Sequence, residues 1–502
     1  MAKAIMFQGT GSGVGKSILV AALCRLLKKK GIKVCPFKAQ NMALNSFVTA
    51  DGKEMGRAQV FQAEACGLLP DVRMNPILLK PSADSKSQVI IMGEPVTHLG
   101  AKDYYKRSQK HWEIVKKAFD SLSKEYDAIV IEGAGSPAEI NLQDTDIVNM
   151  KIAKYAKAKV IIVGDIDKGG VFASLKGTYD LVPDKYRNLI NGFIINKFRG
   201  DVSLLMPGIE MFKQIVPIPV LGVLPWIQDL KIDEEDGVFL GNIESFSRNE
   251  NALKILIAKL PRISNFTDFL PLGLEEDVEL IVSDNPRLIN KSHLVIIPGT
   301  KATTTDLNFL KSKGWQEELV KFSLKGGFIF GICGGYQMLG EKIYDPEGRD
   351  GKACNIEGLG FLPINTKMAP KKTLNQTNVT FEIKEFSTSP LSIKGYEIHM
   401  GKSYFSNSNI EKEGIILGQN LGPNIGLFDR KRRILGTYLH GIFDNDRFRN
   451  CFLNYLRRTF GLKEKNQGIF YEEVRNRQFD KLANWFEQNS DIQKIYSFLG
   501  LY

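Results

Sequence analysis

Short β-branched runs alternate with amphipathic stretches throughout the first half of the chain. Residues 4–8, 128–131, 160–163 and 192–195 have the character of buried strands, each followed within a residue or two by Gly, Asn or a carboxylate. Strands alternating with helical patterns predict βαβ units and a mostly parallel sheet. The pattern fades over 229–251, where Asp233-Glu234-Glu235-Asp236 and a polar cluster at 247–251 leave few sustained apolar runs. A second α/β pattern begins at Lys254, with strands predicted at 255–258, 294–297 and 327–330. Over 368–405 it turns to shorter β segments and turns, returns to a strand at 434–438, and after Phe443 becomes mainly helical and charged. These boundaries predict an α/β protein of two doubly wound domains with mostly parallel sheets. The expected division is residues 1–232, a linker 233–252, a second domain 253–448 and a C-terminal helical extension 449–502.

Composition narrows the class. With 43% hydrophobic and 25% charged residues, the chain is neither a disordered tail nor a collagen-like repeat. The excess of 67 Lys and Arg over 56 Asp and Glu, a net +11, is spread along 502 residues and suits an anionic small-molecule substrate. No basic block, zinc spacing or aromatic-basic strip points to nucleic acid. Cys24, Cys35, Cys66, Cys333, Cys354 and Cys451 are scattered without a C-x-x-C pair, the usage of reduced thiols in a cytosolic compartment. The N-terminus turns glycine-rich by Gly9, and the apolar runs fall short of the ~18 residues of a membrane span. A cytoplasmic protein with no membrane association is expected.

The first chemical motif is Gly9-Thr10-Gly11-Ser12-Gly13-Val14-Gly15-Lys16-Ser17, directly after a strand and opening a helical stretch at 18–30. Glycines such as Gly13 and Gly15 let backbone N–H groups turn inward around phosphate oxygens, and a helix N-terminus adds partial positive charge. Lys16 would reach the β- and γ-phosphates and the Ser17 hydroxyl would bind Mg²⁺. The strict G-x-x-x-x-G-K-[ST] pattern requires Gly where this chain has Thr10, its first glycine being displaced to Gly9. Further Mg²⁺ candidates are carboxylates near strand ends: Glu132, after 128–131, and Asp51, in Thr49-Ala50-Asp51-Gly52. Asp51 reads equally well as a turn aspartate before glycine. Asn196 and Lys197, after the strand 192–195, could contact a nucleotide base.

The second motif, Gly331-Ile332-Cys333-Gly334-Gly335, joins a buried strand to a helix through a tight turn centred on a cysteine. Flanking glycines allow strand and helix to pack closely around a strained nucleophile, and a helix N-terminus favours the reactive thiolate. Among five histidines, His440 ends a predicted strand and is the leading base, with His399 its competitor. The N–H groups of Gly334 and of Gly299, in Ile297-Pro298-Gly299-Thr300, are the expected oxyanion donors.

Gly-x-Cys-Gly-Gly-x-Gln-Met-Leu with a strand-borne histidine resembles the class I, triad-type glutamine amidotransferases. The N-terminal loop resembles the dethiobiotin-synthetase group of P-loop ATPases. Fused in this order, with PFKAQNMALNSFVTADGKEMGRAQ (36–59), EGAGSPAEINL (132–142), GDIDKGGVFAS (164–174), NKFRGD (196–201), PGTKATTTDL (298–307) and GYEIHMG (395–401), they closely resemble the cobyric acid synthase family. The resemblance covers nearly the whole chain apart from the linker and the C-terminal extension. It implies ATP- and glutamine-dependent amidation, with Mg²⁺, of a corrinoid polycarboxylate. That substrate would be adenosylcobyrinic acid a,c-diamide, amidated at carboxylates b, d, e and g. Lys38, Gln40, Asn41 and Asn45 are the implied substrate-binding candidates.

Triad enzymes usually carry Glu two residues after the histidine; here the sequence is His440-Gly441-Ile442. The group that orients His440 is therefore unassigned, and a weakly activated Cys333 is expected. Two rivals remain. Cobyrinic acid a,c-diamide synthases share the two-domain logic. Partitioning-type ATPase switches have a signature lysine where this loop has Gly11, and they need no cysteine elbow.

Overall fold

In a computed structural model the described residues are 2–83, 86–227, 230, 246, 247, 249–350, 353–406 and 422–501, so residues 233–245 and 248 of the expected linker lie outside them. The chain divides into two compact units: Met1–Ala43, Glu54–Asp236 and Arg475–Tyr502 form one, and Leu44–Lys53 with Gly237–Val474 the other. Both units are α/β with mostly parallel central sheets, as the alternation of patterns predicts.

The first unit is built on six parallel strands in the order Val220–Pro225, Ile190–Phe198, Lys159–Asp165, Lys3–Gly9, Ala128–Glu132 and Val34–Phe37. Ile5, Phe7, Val130, Ile161 and Val163 are fully buried against helix Lys16–Lys29, whose Leu19, Val20 and Leu23 face the same core. Burial on both faces explains why these strands read as continuous apolar runs. A smaller sheet of Gln40–Met42, Ile77–Ala83, Lys86–Ile91 and Glu94–Gly100 lies in the same unit and has no clear signal in the sequence.

The C-terminal extension does not stand by itself. Helix Asp446–Thr459 belongs to the second unit, where the buried Arg449 pairs with Glu275 at 3.0 Å and Arg457 with Asp277 at 2.9 Å. From Arg475 onward the chain belongs to the first unit: Phe479, Leu482, Phe486, Ile492 and Ile495 complete its core. The Phe486 ring meets Phe7 edge-on at 6.2 Å, and the Trp485 indole N–H donates to the Pro225 carbonyl at 3.1 Å.

The second unit has a six-stranded sheet ordered Val278–Ser283, Leu253–Ala258, Leu294–Ile297, Phe328–Ile332, Ile434–Thr437 and Gly426–Asp429, antiparallel only at its last pair. Beside it lies a sheet of Cys354–Glu357, Lys342–Asp345, Ile364–Phe381 and Leu391–Phe405. The short β segments expected over 368–405 are in fact parts of two long antiparallel strands of 18 and 15 residues. Their apolar positions alternate with exposed polar ones, so the buried face carries no continuous apolar run to mark its length. Among the described residues no helix is long and apolar enough to cross a membrane.

Candidate functional site

In the first unit the glycine-rich loop leaves the strand Lys3–Gly9 and enters the helix Lys16–Lys29. Gly15 has φ +95°, and a Cβ there would fall 2.3 Å from the Asn196 side-chain nitrogen, so only glycine fits. Asn196 donates to the Val14 carbonyl at 2.9 Å and Lys197 to the Gly13 carbonyl at 2.7 Å, so both brace the loop from near the end of the strand Ile190–Phe198. Lys16 Nζ donates to the carbonyls of Gly11 at 2.8 Å and Gly135 at 3.2 Å, which draws the Glu132–Gly135 turn toward the loop.

Glu132 is the centre of this cluster. Its Oε1 accepts from Ser17 Oγ at 2.9 Å and from Lys38 Nζ at 2.8 Å, while Oε2 accepts from Gln62 at 2.5 Å. Burial opposes ionisation of the carboxyl, but the Lys38 ammonium, with Gln62 and Lys16, holds it below the usual carboxylate range. Parallel strands 3–9 and 128–132 place loop and carboxylate side by side, in register at Phe7 and Glu132.

Asp51, the other carboxylate expected at the metal, is bound within its own turn to Thr49 at 2.5 Å and pairs with Lys53 at 3.3 Å, in the second unit. Among the described residues no group of three or more His, Cys, Asp or Glu side chains could hold a metal.

The implied substrate-binding residues have these partners within the chain. Lys38 serves Glu132, Gln40 accepts from the Tyr104 hydroxyl, and Asn41 accepts from the Met42 N–H at 2.9 Å. Asn45 accepts from the Asn265 N–H at 2.7 Å, in the second unit.

In the second unit Cys333 ends the strand Phe328–Ile332 with φ +52° and precedes helix Gly334–Leu339. A non-glycine residue in that conformation is strained and is held by packing on both sides. A Cβ on Gly335 would fall 1.9 Å from the Ile297 carbonyl oxygen, which shows how closely the elbow presses on the adjoining strand end. The thiol faces the Ile398 carbonyl at 3.6 Å. Ideal Cβ positions at Gly299 and Gly334 lie 3.1 Å from His440 Cε1 and 2.9 Å from Thr300 Cγ2 respectively.

His440 is buried and its Nδ1 lies 2.7 Å from Asp268 Oδ2, while Asp268 Oδ1 accepts from the Gly441 N–H at 2.9 Å. One carboxylate thus fixes both the ring and the peptide that follows it. Burial disfavours the imidazolium, yet Asp268 and Cys333 outweigh it and push the His440 pKa up to about 10. Asp268 comes from the 3-10 turn Phe266–Phe269, after the strand Leu253–Ala258. A carboxylate two residues after the histidine is absent here, and its counterpart comes from a segment far away in sequence. Unlike Glu132, which ends its strand, Asp268 is separated from the strand Leu253–Ala258 by a loop, so no local pattern marks it. Ile442 is a fully buried core residue, and the expectation of a weakly activated Cys333 loses its premise.

His399, the competing base, has both ring nitrogens engaged, by the Gly401 carbonyl at 2.7 Å and Glu397 at 3.3 Å, and stacks on Tyr438 at 3.8 Å. The geometry favours His440.

A cysteine elbow served by a histidine and a carboxylate, in a chain that also carries a phosphate loop, defines a glutamine-hydrolysing amidotransferase that uses ATP. Residues 254–448 match the model of the CobB/CobQ-like glutamine amidotransferase domain, and residues 5–239 that of the CobQ/CobB/MinD/ParA nucleotide binding domain. The chain is similar to the cobyric acid synthase of Carboxydothermus hydrogenoformans, 49% identical over 100% of both chains. It is likewise similar to those of Clostridium acetobutylicum, 46% identical, and Clostridium tetani, 45% identical, each over 99% of both chains. The chain belongs to the cobyric acid synthase family, the glutamine-dependent amidotransferases of cobalamin biosynthesis.

Proposed function

We propose that this chain converts adenosylcobyrinic acid a,c-diamide to adenosylcobyric acid by amidating carboxylates b, d, e and g with ATP and glutamine. The observation that carries the reading is the presence, in one chain, of a built set of side chains for each half of such a reaction. A carboxylate is a poor acyl donor. Attack of its oxygen on the γ-phosphorus of ATP expels ADP and leaves an acyl phosphate; ammonia then attacks the acyl carbon and phosphate departs. Lys16 would stabilise charge on the transferring phosphoryl group. Bound Mg²⁺ neutralises charge on phosphate oxygens, and Ser17 Oγ and Glu132, hard oxygen donors already side by side, would hold it.

The ammonia comes from glutamine. The Cys333 thiolate attacks the carboxamide carbon, and the N–H groups of Gly334 and Gly299 receive the oxyanion. The C–N bond breaks as the His440 imidazolium gives its proton to the leaving nitrogen, which leaves a thioester. His440 then takes a proton from water, whose oxygen releases glutamate and the thiolate. Asp268 holds the ring in the tautomer both steps need. A corrinoid polycarboxylate also accords with the net positive charge.

The deciding assay supplies ATP and glutamine with either adenosylcobyrinic acid a,c-diamide or cobyrinic acid and follows the amides chromatographically. Amidation of the a,c-diamide supports the reading. Turnover of cobyrinic acid alone, stopping at its a,c-diamide, would transfer the chain to the rival activity.

A further inference from the structure

The segment Leu44–Lys53 is flanked on both sides by residues of the nucleotide-binding unit, yet it belongs to the amidotransferase unit. There it reaches an immediate neighbour of each reacting group. Asn45 accepts from the Asn265 N–H at 2.7 Å, and Asn265 Oδ1 accepts in return from the Ser46 N–H at 3.1 Å. Asn265 stands in the left-handed region at φ +55° and opens the turn bearing Asp268, whose N–H donates to the Asn265 carbonyl at 3.0 Å. A left-handed start to a turn is costly unless it is held, and the two asparagines hold it. Further along, Phe47 lies 4.8 Å from the Tyr396 ring, and Val48 is buried with Tyr396 and Ile398. Tyr396 exchanges two backbone hydrogen bonds with His440 and stacks on its ring at 5.2 Å, and the Ile398 carbonyl faces the Cys333 thiol.

We propose that this segment is a positioning element of the glutaminase site, with Asn45 the residue that fixes the Asp268 turn and through it the His440 ring. The inference rests on the Cys333–His440 reading above. It assigns Asn45 to the geometry of glutamine hydrolysis and ties that geometry to a piece of chain continuous with the ATP-using unit. Among the described residues, Asp268, Cys333 and the Tyr396 ring face the imidazole, and Asp444 lies near Gly441.

The test is glutamine hydrolysis by the full chain as a function of pH, for wild type, Asn45→Ala, Asn45→Asp and Asn265→Gly. Asn265→Gly keeps the left-handed backbone and removes only the Ser46 acceptor, which guards against a fold-wide failure of Asn45→Ala. For Asn45→Ala, kcat should fall about tenfold with KM for glutamine within about twofold, as slight misplacement of a reacting group does. The alkaline limb of the profile should move down by about one pH unit, because a displaced Asp268 no longer favours the imidazolium. Asn45→Asp, which retains the acceptor oxygen, should recover most of kcat, and Asn265→Gly should shift the profile in the same direction as Asn45→Ala. Unchanged kcat and profile in both Asn45→Ala and Asn265→Gly would overturn the inference. Glutamine hydrolysis that persists in Cys333→Ser would instead overturn the reading beneath it.

Discussion

At the scale of single residues, His440 is held by a carboxylate 172 positions earlier in the chain. Replacing Asp268 by Asn keeps the shape but offers the ring a neutral partner. The kcat for glutamine hydrolysis should drop by about 10² to 10⁴, as loss of an orienting carboxylate does in triad enzymes. The same substitution has a stability signature. A histidine whose folded pKa is raised stabilises the fold fully below its unfolded value of about 6.5, and this contribution is lost as pH rises through about 10. Thermal melts of wild type and Asp268→Asn should therefore differ most at mildly acidic pH and converge as the pH is brought toward 10. In the other unit, Lys16→Ala and Glu132→Gln should each abolish amidation whether nitrogen is supplied as glutamine or as ammonium. Each removes charge from the Lys16–Ser17–Glu132 cluster, and such clamps contribute several kcal/mol to transition-state stabilisation. Ammonium-dependent turnover equal to wild type in either variant would remove that residue from the ATP site.

At the scale of elements, the central strands of both sheets were readable because burial on both faces demands continuous apolar runs. Leu294–Ile297 falls where the pattern puts it, and Ala128–Glu132 differs only by including its carboxylate. The strands Ile364–Phe381 and Leu391–Phe405 were less legible, since one face is polar and the pattern breaks into short pieces. The terminal helices Tyr471–Gln488 and Ile492–Phe498 could be read as helices, but nothing local names the core they complete. Phe486 is fully buried there, so Phe486→Ala should destabilise the first unit by about 3–5 kcal/mol, a cavity in a close-packed core. Urea unfolding followed through ATP-dependent amidation with ammonium should show the midpoint fall. A midpoint equal to wild type would mean that these helices contribute little to that core.

At the scale of the whole molecule, two chemistries that could work apart are carried on one chain. Cys333→Ser should end synthesis from glutamine while leaving synthesis from ammonium salts near the wild-type rate, because in the proposed mechanism the thiol makes ammonia and does not activate the corrin carboxylate. An enzyme that is folded but inactive with ammonium would contradict that division of labour. The fusion also has a topological consequence. Neither unit is a single stretch of chain: residues 44–53 leave the first for the second, and residues from 475 onward return.

What the sequence determined by itself is what local pattern can encode: the alternating strands and helices, the phosphate loop with Lys16 and Ser17, the cysteine elbow, and a histidine at a strand end. Each is written in contiguous residues whose backbone demands, glycine at a left-handed turn or apolar runs in a buried strand, leave a mark on the chain. The partners of those groups were decided only by tertiary structure. Asp268 beside His440, Lys38 and Gln62 on Glu132, Asn45 on Asn265 and Phe486 on Phe7 are meetings between segments distant in sequence. A side chain's hydrogen-bonding capacity says that it needs a partner, and only the packing of sheets and helices says which one it has.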